Sequence, residues 1–261
     1  MIVKSDKSSF ESYLTDAANI KGDCEKVFFP ENHNELVAVI NDARDCNKTI
    51  TVSASKTGLN GGSVPYEGIL VSTEKLNRIL KIDESKNCVI VEPGLTLKDL
   101  QDELDKYGLF YPPDPTEANC SLGGTVANNA SGARTFKYGS TRNYVEAIKV
   151  ILADGNVFEI ERGRFISNGL TFSIKINKKD FHFVLPDYKM PDVKHSAGYF
   201  CEPDMDLIDL FIGSEGTLGV ISEIKLRVIN KPKAILSMII FFDDEENLFS
   251  FIHNFLVAII F

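Results

Sequence analysis

The chain has 261 residues, 44% of them hydrophobic and 25% charged, with a net charge of −9. That length and balance fit one or two globular domains, exclude a disordered or collagen-like chain, and argue against a general nucleic-acid surface while leaving room for one anionic ligand in a local pocket. Five scattered cysteines, Cys24, Cys46, Cys88, Cys120 and Cys201, are odd in number and never spaced as CxxC, which points to reduced thiols in a cytosolic compartment rather than a disulfide framework or a zinc site.

The opening MIVKSDKSSFESYL has no apolar run after its lysines, so no secretory signal is expected, and residues 1–24 read as an N-terminal extension. Asn32 and Glu35 have capping-box spacing, and Leu36, Val39, Ile40 and Ala43 follow helical periodicity, which predicts a helix over 33–46. TITVSA at 49–54 and ILVS at 69–72 read as strands around the loop SKTGLNGGSVPYEG, and ILKIDESKNCVIVEPG as a hairpin. Thr96 and Asp99 open a second helix with Leu97, Leu100 and Leu104 on one face, and Gly108 stands where a helix end takes a left-handed residue.

FYPPDPTEANCS is a loop by its prolines, and Asp154-Gly155 is a hairpin turn between strands at 144–152 and 157–161. A further hairpin is expected over 164–185 with Lys178 and Lys179 at a solvated tip, then a short helix from about Asp204 in DMDLIDLFIG. VISEIKLRVI alternates as a strand through Ile221, Ile224, Leu226 and Val228. Pro232 marks a boundary. AILSMIIFF beyond it reads as a strand and DDEENLFSFIHNFLVAIIF as a helix capped by Asp243 or Asp244, with Leu248, Phe251, Ile252 and Phe255 facing a core. The last fourteen residues are too short and too polar in the middle for a membrane span.

Absences narrow the chemistry. No two glycines are separated by a single residue and no Gly-Lys pair occurs, so the dinucleotide fingerprint G-x-G-x-x-G and the phosphate-binding P-loop are both excluded. HExxH, G-x-S-x-G and any metal-ligand spacing of the four histidines are also missing, and no metal is expected. Three glycine-rich segments remain, SASKTGLNGG at 53–62, SLGGTVANNASG at 121–132 and IGSEGTLGVI at 212–221. Each can present several free backbone N–H groups, the donors with which proteins hold diphosphates, and three together suit one long ligand.

In that order, TVSASKTGLNGGSVP, PPDPTEANCSLGGTVANNASGARTFKYGSTRNYVEAIKVILADG, KHSAGYF and LIDLFIGSEGTLGVISEIKL resemble the FAD-binding domain of the vanillyl-alcohol oxidase / p-cresol methylhydroxylase flavoproteins, in the branch of the D-lactate dehydrogenase and glycolate oxidase large subunits. The resemblance implies an α+β fold in two lobes, a small α/β lobe to about residue 110 and a larger lobe of mixed or antiparallel sheet flanked by helices. It places the FAD-binding domain at 25–230, with 231–261 as the start of a cap domain cut off at Phe261. It puts the diphosphate on the loop of Ser53, Ala54, Ser55, Lys56, Thr57 and Gly58, with Lys56 either a cation beside the phosphates or a solvent-facing side chain. Gly123 and Gly124 then let a short helix approach the cofactor, with Asn128, Ser131 and Gly132 beside it and Asp114, Pro115 and Thr116 as the facing wall; helix-to-strand packing is the other reading of Gly132.

Glu215, Gly219 and Ile221 fall against the adenosine half or inner edge of FAD, although Glu215 alternatively caps its turn. Thr57 occupies the position of the histidine that carries a covalent flavin in related branches, so non-covalent FAD is implied. Lys194, His195 and Tyr199 fall where the family has a segment near the flavin, without an assigned catalytic residue, and Cys120 reads as a small buried hydrophobe. The implied activity is oxidation of a D-2-hydroxy acid, with electrons passed to a quinone, cytochrome or other acceptor, at a cytosolic or membrane-peripheral site. Alternatives are a flavin-binding module served by a separate cap-domain polypeptide, a different-chemistry relative of alkyl-dihydroxyacetone-phosphate synthase type, and a degraded domain that binds nothing.

Overall fold

The structure, a computed structural model, describes residues 1–176, 179–191, 198–236 and 238–260, and the chain divides into two compact units, Met1–Lys231 and Pro232–Phe261. The first unit has the two-lobed α+β architecture expected. Its small lobe is a four-stranded sheet: β1 (Ile2–Lys4) lies antiparallel to β2 (Lys26–Phe29), and β4 (Ile69–Ser72) runs parallel between β2 and β3 (Ile50–Ser53). All four residues of β4 are buried, as a central parallel strand covered on both faces requires.

One cover is helix α1 (His33–Asp45), whose Asn32 cap accepts the Glu35 N–H at 3.0 Å and whose apolar stripe is the predicted Leu36, Val39, Ile40 and Ala43. These pack against Ile69, Val71 and Leu76 of the small lobe and against Ile151 and Val220 of the larger one. The other cover comes from the residues expected to be an extension. Phe10 and Leu14 bury themselves with Val27, Phe29 and Leu70, and β1 supplies a strand of the sheet.

The larger lobe is an antiparallel five-stranded sheet ordered β5 (Ile79–Asp83), β6 (Cys88–Val91), β12, β8, β9, where β8 is Val145–Ile151, β9 Val157–Glu161 and β12 Val220–Arg227. Because β6 pairs with β12, Val91 opposite Ile224, the lobe boundary falls between Ser72 and Ile79 and not near residue 110. The hairpin joining β5 and β6 is legible locally, but its partner lies more than a hundred residues away. Helices α2 (Leu97–Asp105) and α3 (Leu122–Ala127) and the later α5 (Leu207–Phe211) share this sheet's core, where Leu97, Leu100, Leu104, Leu122, Val126 and Ile208 meet Val89, Val91, Ile148 and Ile224. A short β7 (Leu109–Phe110) and a single turn α4 (Thr135–Tyr138) flank α3.

Several predictions of element position need correction. In β12 the buried face alternates without a break through Val220, Ser222, Ile224 and Leu226, which leaves Ile221, on the opposite parity, half-buried. Helix α5 is capped by Asp206, two residues later than expected, because Asp204 takes a left-handed φ of 57° and accepts the Gly169 N–H. The hairpin β10 (Thr171–Ile176) and β11 (Lys179–Val184) forms as predicted, held by Phe158 against Phe181 and Phe172 stacked on Phe183; Lys178 lies outside the described residues. A two-residue β13 (Ile229–Asn230) pairs with β7 and closes the unit.

In the second unit α6 (Glu245–Ile260) forms as predicted, with Asp244 accepting the Asn247 N–H at 2.8 Å. The expected strand at 234–242 does not form among the described residues, since no neighbouring strand is present to take its hydrogen bonds. Ile235, Leu236, Ile239 and Phe241 are exposed, and Phe251, Ile252 and Phe255, expected to face a core, keep 36–44% of their surface exposed. No described helix is long and apolar enough to cross a membrane.

His33, at the start of α1, places Nδ1 3.0 Å from Ser222 Oγ. Burial lowers its pKa, and Lys149 nearby adds to the shift. The folded protein therefore binds this proton less readily than the unfolded chain. Its contribution to stability is whole above the ordinary histidine pKa and is lost as pH falls through the lowered value. Urea midpoints measured across that acidic window should fall less steeply for His33→Asn than for the parent.

Candidate functional site

The first glycine-rich segment leaves β3 and crosses to β4. Along residues 54–60 no backbone N–H finds an acceptor among the described residues, an unusual row of free donors. The loop uses ordinary angles except at Lys56, whose φ of 57° puts all the left-handed strain of residues 53–58 on one residue. The Lys56 side chain does not sit among these donors: Nζ donates to Ser12 O at 2.8 Å and lies 4.1 Å from the Tyr13 ring, and burial lowers its pKa. The Lys56 ammonium is thus turned toward the N-terminal segment. Any anion in the loop is left to the backbone amides.

The second segment begins with Ser121, which caps α3 by accepting the Gly124 N–H at 3.2 Å. Gly123 donates its N–H to Pro93 O at 2.7 Å, and a side chain there would meet Pro93. At Gly132 a Cβ would stand 1.6 Å from Asp114 O, and Ala133 donates to that same carbonyl. Close approach of a loop backbone therefore accounts for this glycine, not the helix-to-strand packing offered as its other reading, since neither Gly132 nor Asp114 lies in a helix or strand; the same contact sets Asp114 and Pro115 beside Gly132. Arg134 stacks on Phe110 and places Nε 3.5 Å from the Asp114 carboxylate. Asn128 folds back on α3, its Nδ2 donating to Gly124 O, while the Ser131 N–H has no acceptor among the described residues.

The third segment closes the arrangement. Gly213 and Glu215 donate their N–H groups to Val126 O and Ala127 O at 3.0 and 2.9 Å, joining it to the end of α3. Glu215, in a left-handed conformation with φ 52°, accepts from Asn60 Nδ2 at 2.8 Å, which joins it to the first segment. Its carboxylate is thus neither free nor a turn cap. Arg142 binds Ile212 O at 2.6 Å through its guanidinium and Asn129 Oδ1 through its backbone N–H, bracing the second and third segments together. The N–H groups of Gly216 and Leu218 are without acceptors among the described residues, and a Cβ on Gly216 would meet nothing within 4 Å. Gly219 and Ile221 lie at the start of β12, where Gly219 packs on Val150 and Ile221 pairs with that residue.

Three stretches far apart in sequence thus meet around backbone donors that lack partners, a donor set that fits a diphosphate. Tyr199 joins them, its hydroxyl 2.7 Å from Thr217 Oγ1, whereas Lys194 and His195 lie outside the described residues. Burial, with the Glu117 charge adding, pushes the Cys120 thiol up to about 11, as suits the unreactive reading. A separate open groove of about 680 Å³ over β5 and α2 is lined by Asp99, Asp102 and Glu103 against Lys81 and shares no residue with the three segments. Its acidic lining disfavours a phosphate ligand. Sequence reasoning missed Asn60, Asn129 and Arg142; all three stand inside quoted motifs, but nothing local marks an arginine that works through contacts some seventy residues away.

A two-lobed fold in which three segments with unpartnered amides touch one another suits a phosphate-bearing cofactor. The chain belongs to the FAD binding domain family, matched over residues 24–161, and FAD is its cofactor. Among curated proteins it is 37% identical over 214 residues to a D-lactate dehydrogenase of Anaerostipes hadrus, covering 82% of this chain and 38% of that one. It is 32% identical to a D-lactate dehydrogenase of Archaeoglobus fulgidus, covering 84% of this chain and 42% of the relative. A glycolate oxidase subunit of Bacillus subtilis is also 32% identical, with coverages of 84% and 40%. The chain thus spans about two fifths of the length of these relatives. A solved alkyldihydroxyacetonephosphate synthase superposes with a TM-score of 0.67 at 18% identity, over 89% of this chain and 39% of that one, a likeness of fold.

Proposed function

We propose that the chain is the cofactor-binding part of an oxidoreductase acting on a D-2-hydroxy acid of the lactate, glycolate or 2-hydroxyglutarate type. The names of the relatives support the substrate class. The single observation that carries the cofactor half of the reading is the convergence of 54–60, 121–132 and 212–219 through Asn60–Glu215, Val126–Gly213 and Ala127–Glu215.

In this reading the amides of the loop from Ser53 to Gly58 hold the diphosphate. Asp114, Pro115 and Thr116 form one wall of the cleft, and Gly123, Gly124, Asn128, Ser131 and Gly132 the other. Glu215, Gly219 and Ile221 complete the inner edge. FAD is held non-covalently, since Thr57 offers no nucleophile of the kind that tethers a flavin. Bound FAD supplies the hydride acceptor, and the protein orients it and excludes water. The groups that take the hydroxyl proton and clamp the substrate carboxylate belong to a cap domain, which residues 231–261 open. The reduced flavin passes its electrons to a separate acceptor, a quinone, cytochrome or other carrier, and the site of action is cytosolic or at the inner face of a membrane.

Purified chain stripped of flavin is expected to bind one FAD, turning yellow and quenching flavin fluorescence to a stoichiometric end point. Failure to bind would sink the reading. Anaerobic D-lactate, glycolate or D-2-hydroxyglutarate is then added. Bleaching shows that this chain alone carries the substrate groups. Colour without bleaching favours the second reading, a flavin-binding module completed by a cap-domain polypeptide.

A further inference from the structure

We propose that Asp16 is a positioning residue for the cofactor loop, acting through Gly61 to hold the amides of residues 54–60 ready for the FAD diphosphate; this rests on the cofactor reading above. Asp16 is 7% exposed, and its carboxylate gathers three backbone donors: Ala18 and Ile20 on Oδ1 at 3.0 and 3.1 Å, and Gly61 on Oδ2 at 3.0 Å. One oxygen therefore ties a turn of the N-terminal segment, the other the end of the free-amide row. A second tether reaches the middle of the row, where Ala17 donates to Lys56 O at 3.1 Å, and Lys56 reaches back to Ser12 O and the Tyr13 ring. Ile20 closes the junction, with Cδ1 3.3 Å from where a Cβ on Gly61 would stand.

The matched family region begins at residue 24, so this brace lies outside it. A loop whose own N–H groups make no internal bonds has little to hold its shape. Unbraced, it would pay the entropy of ordering at the moment of binding, and affinity would fall by that amount. An ionised carboxylate accepts only, and one that takes three N–H groups at once is a rigid fixture for the segments that supply them.

Asp16→Asn separates this role from general stability. Its amide keeps one accepting oxygen but turns an N–H₂ toward either Gly61 or the Ala18–Ile20 turn, so one tether is lost with almost no change in volume. The FAD dissociation constant, from fluorescence titration of flavin-free protein, should rise about tenfold or more, and the phosphorus resonances of bound FAD should shift. Tyr13→Phe is the control. It removes only the hydroxyl bond to Glu74 at 2.9 Å and leaves the ring under Lys56, so FAD affinity should match the parent.

An unchanged dissociation constant for Asp16→Asn, or an equal loss in Tyr13→Phe, overturns the assignment while leaving parental FAD binding intact; absence of binding by the parent overturns the cofactor reading and this inference together. Should Asp16→Asn not fold, hydrogen exchange on the parent decides the matter: FAD should slow exchange at Ala18, Ile20 and Gly61 together, and protection of Gly61 alone would refute the coupling.

Discussion

Replacing Gly132 by alanine is expected to destabilise the fold by about 3 kcal/mol, the upper end of what overpacking costs, and to abolish FAD binding. The added Cβ would stand 1.6 Å from Asp114 O, 2.3 Å from its carbon and 2.7 Å from Pro115 N. All three are backbone atoms, so no rotamer change relieves the contact. Asp114 and Pro115 must move, and the Ala133 N–H to Asp114 O bond breaks with them. Since these residues form the proposed facing wall of the cleft, stability and affinity should fall together. Gly58→Ala is the contrast. A Cβ there meets only Asn60 Oδ1 at 3.6 Å, an ordinary contact, and stability should stay within about 0.5 kcal/mol of the parent. Urea denaturation of both variants, followed by FAD titration, tests the pair. Equal midpoints for Gly132→Ala and the parent would show that the two chain segments do not approach as closely as described.

That glycine also shows where sequence reasoning reached its limit. SLGGTVANNASG announces a constrained backbone, and the two candidate reasons, a ligand or a packed neighbour, predict the same residue. Only the position of Asp114 O distinguishes them. Helix α1, the β5–β6 and β8–β9 hairpins and the cap of α2 were legible because each is specified within about ten residues by caps, turn residues and periodicity. The lobe boundary and the place of residues 1–24 were not. They depend on Val91 finding Ile224 and on Asp16 finding Gly61, pairings for which local pattern carries no signal. The strand expected at 234–242 failed for a related reason: β-rich composition needs a partner strand, and composition does not say whether one is present. At the site, glycine-rich pattern already singled out the three distant segments, but nothing local told where Lys56 points, a direction set by Ser12 and Tyr13.

Arg142 is the side chain that braces the second and third segments together. Its side chain is 17% exposed and the partner Asp209 carboxylate 12%. The guanidinium binds Asp209 O at 2.6 Å, Asp209 Oδ1 at 2.9 Å and Ile212 O at 2.6 Å, with Phe200 stacked 4.4 Å away. Arg142→Ala leaves two half-buried carbonyls without their donor, at about 1–3 kcal/mol each. Asp209 keeps Arg162 on both oxygens, at 3.0 and 3.1 Å, so the full penalty of an isolated buried charge does not arise. The net loss expected is about 3 kcal/mol, read from the urea midpoint. Lysine should not rescue it, because one ammonium cannot span the two carbonyls and the carboxylate that a planar fork reaches. Arg162→Ala gives the comparison, since it too takes one of the two arginines from Asp209 but touches neither Ile212 nor Phe200. If Ile212 is the link that matters for the cofactor, FAD affinity should fall more in Arg142→Ala than in Arg162→Ala at equal stability, measured at a temperature where both are folded. Equal affinities would mean that the third segment keeps its place through Val126 and Ala127 alone, and that the guanidinium serves the fold without serving the site.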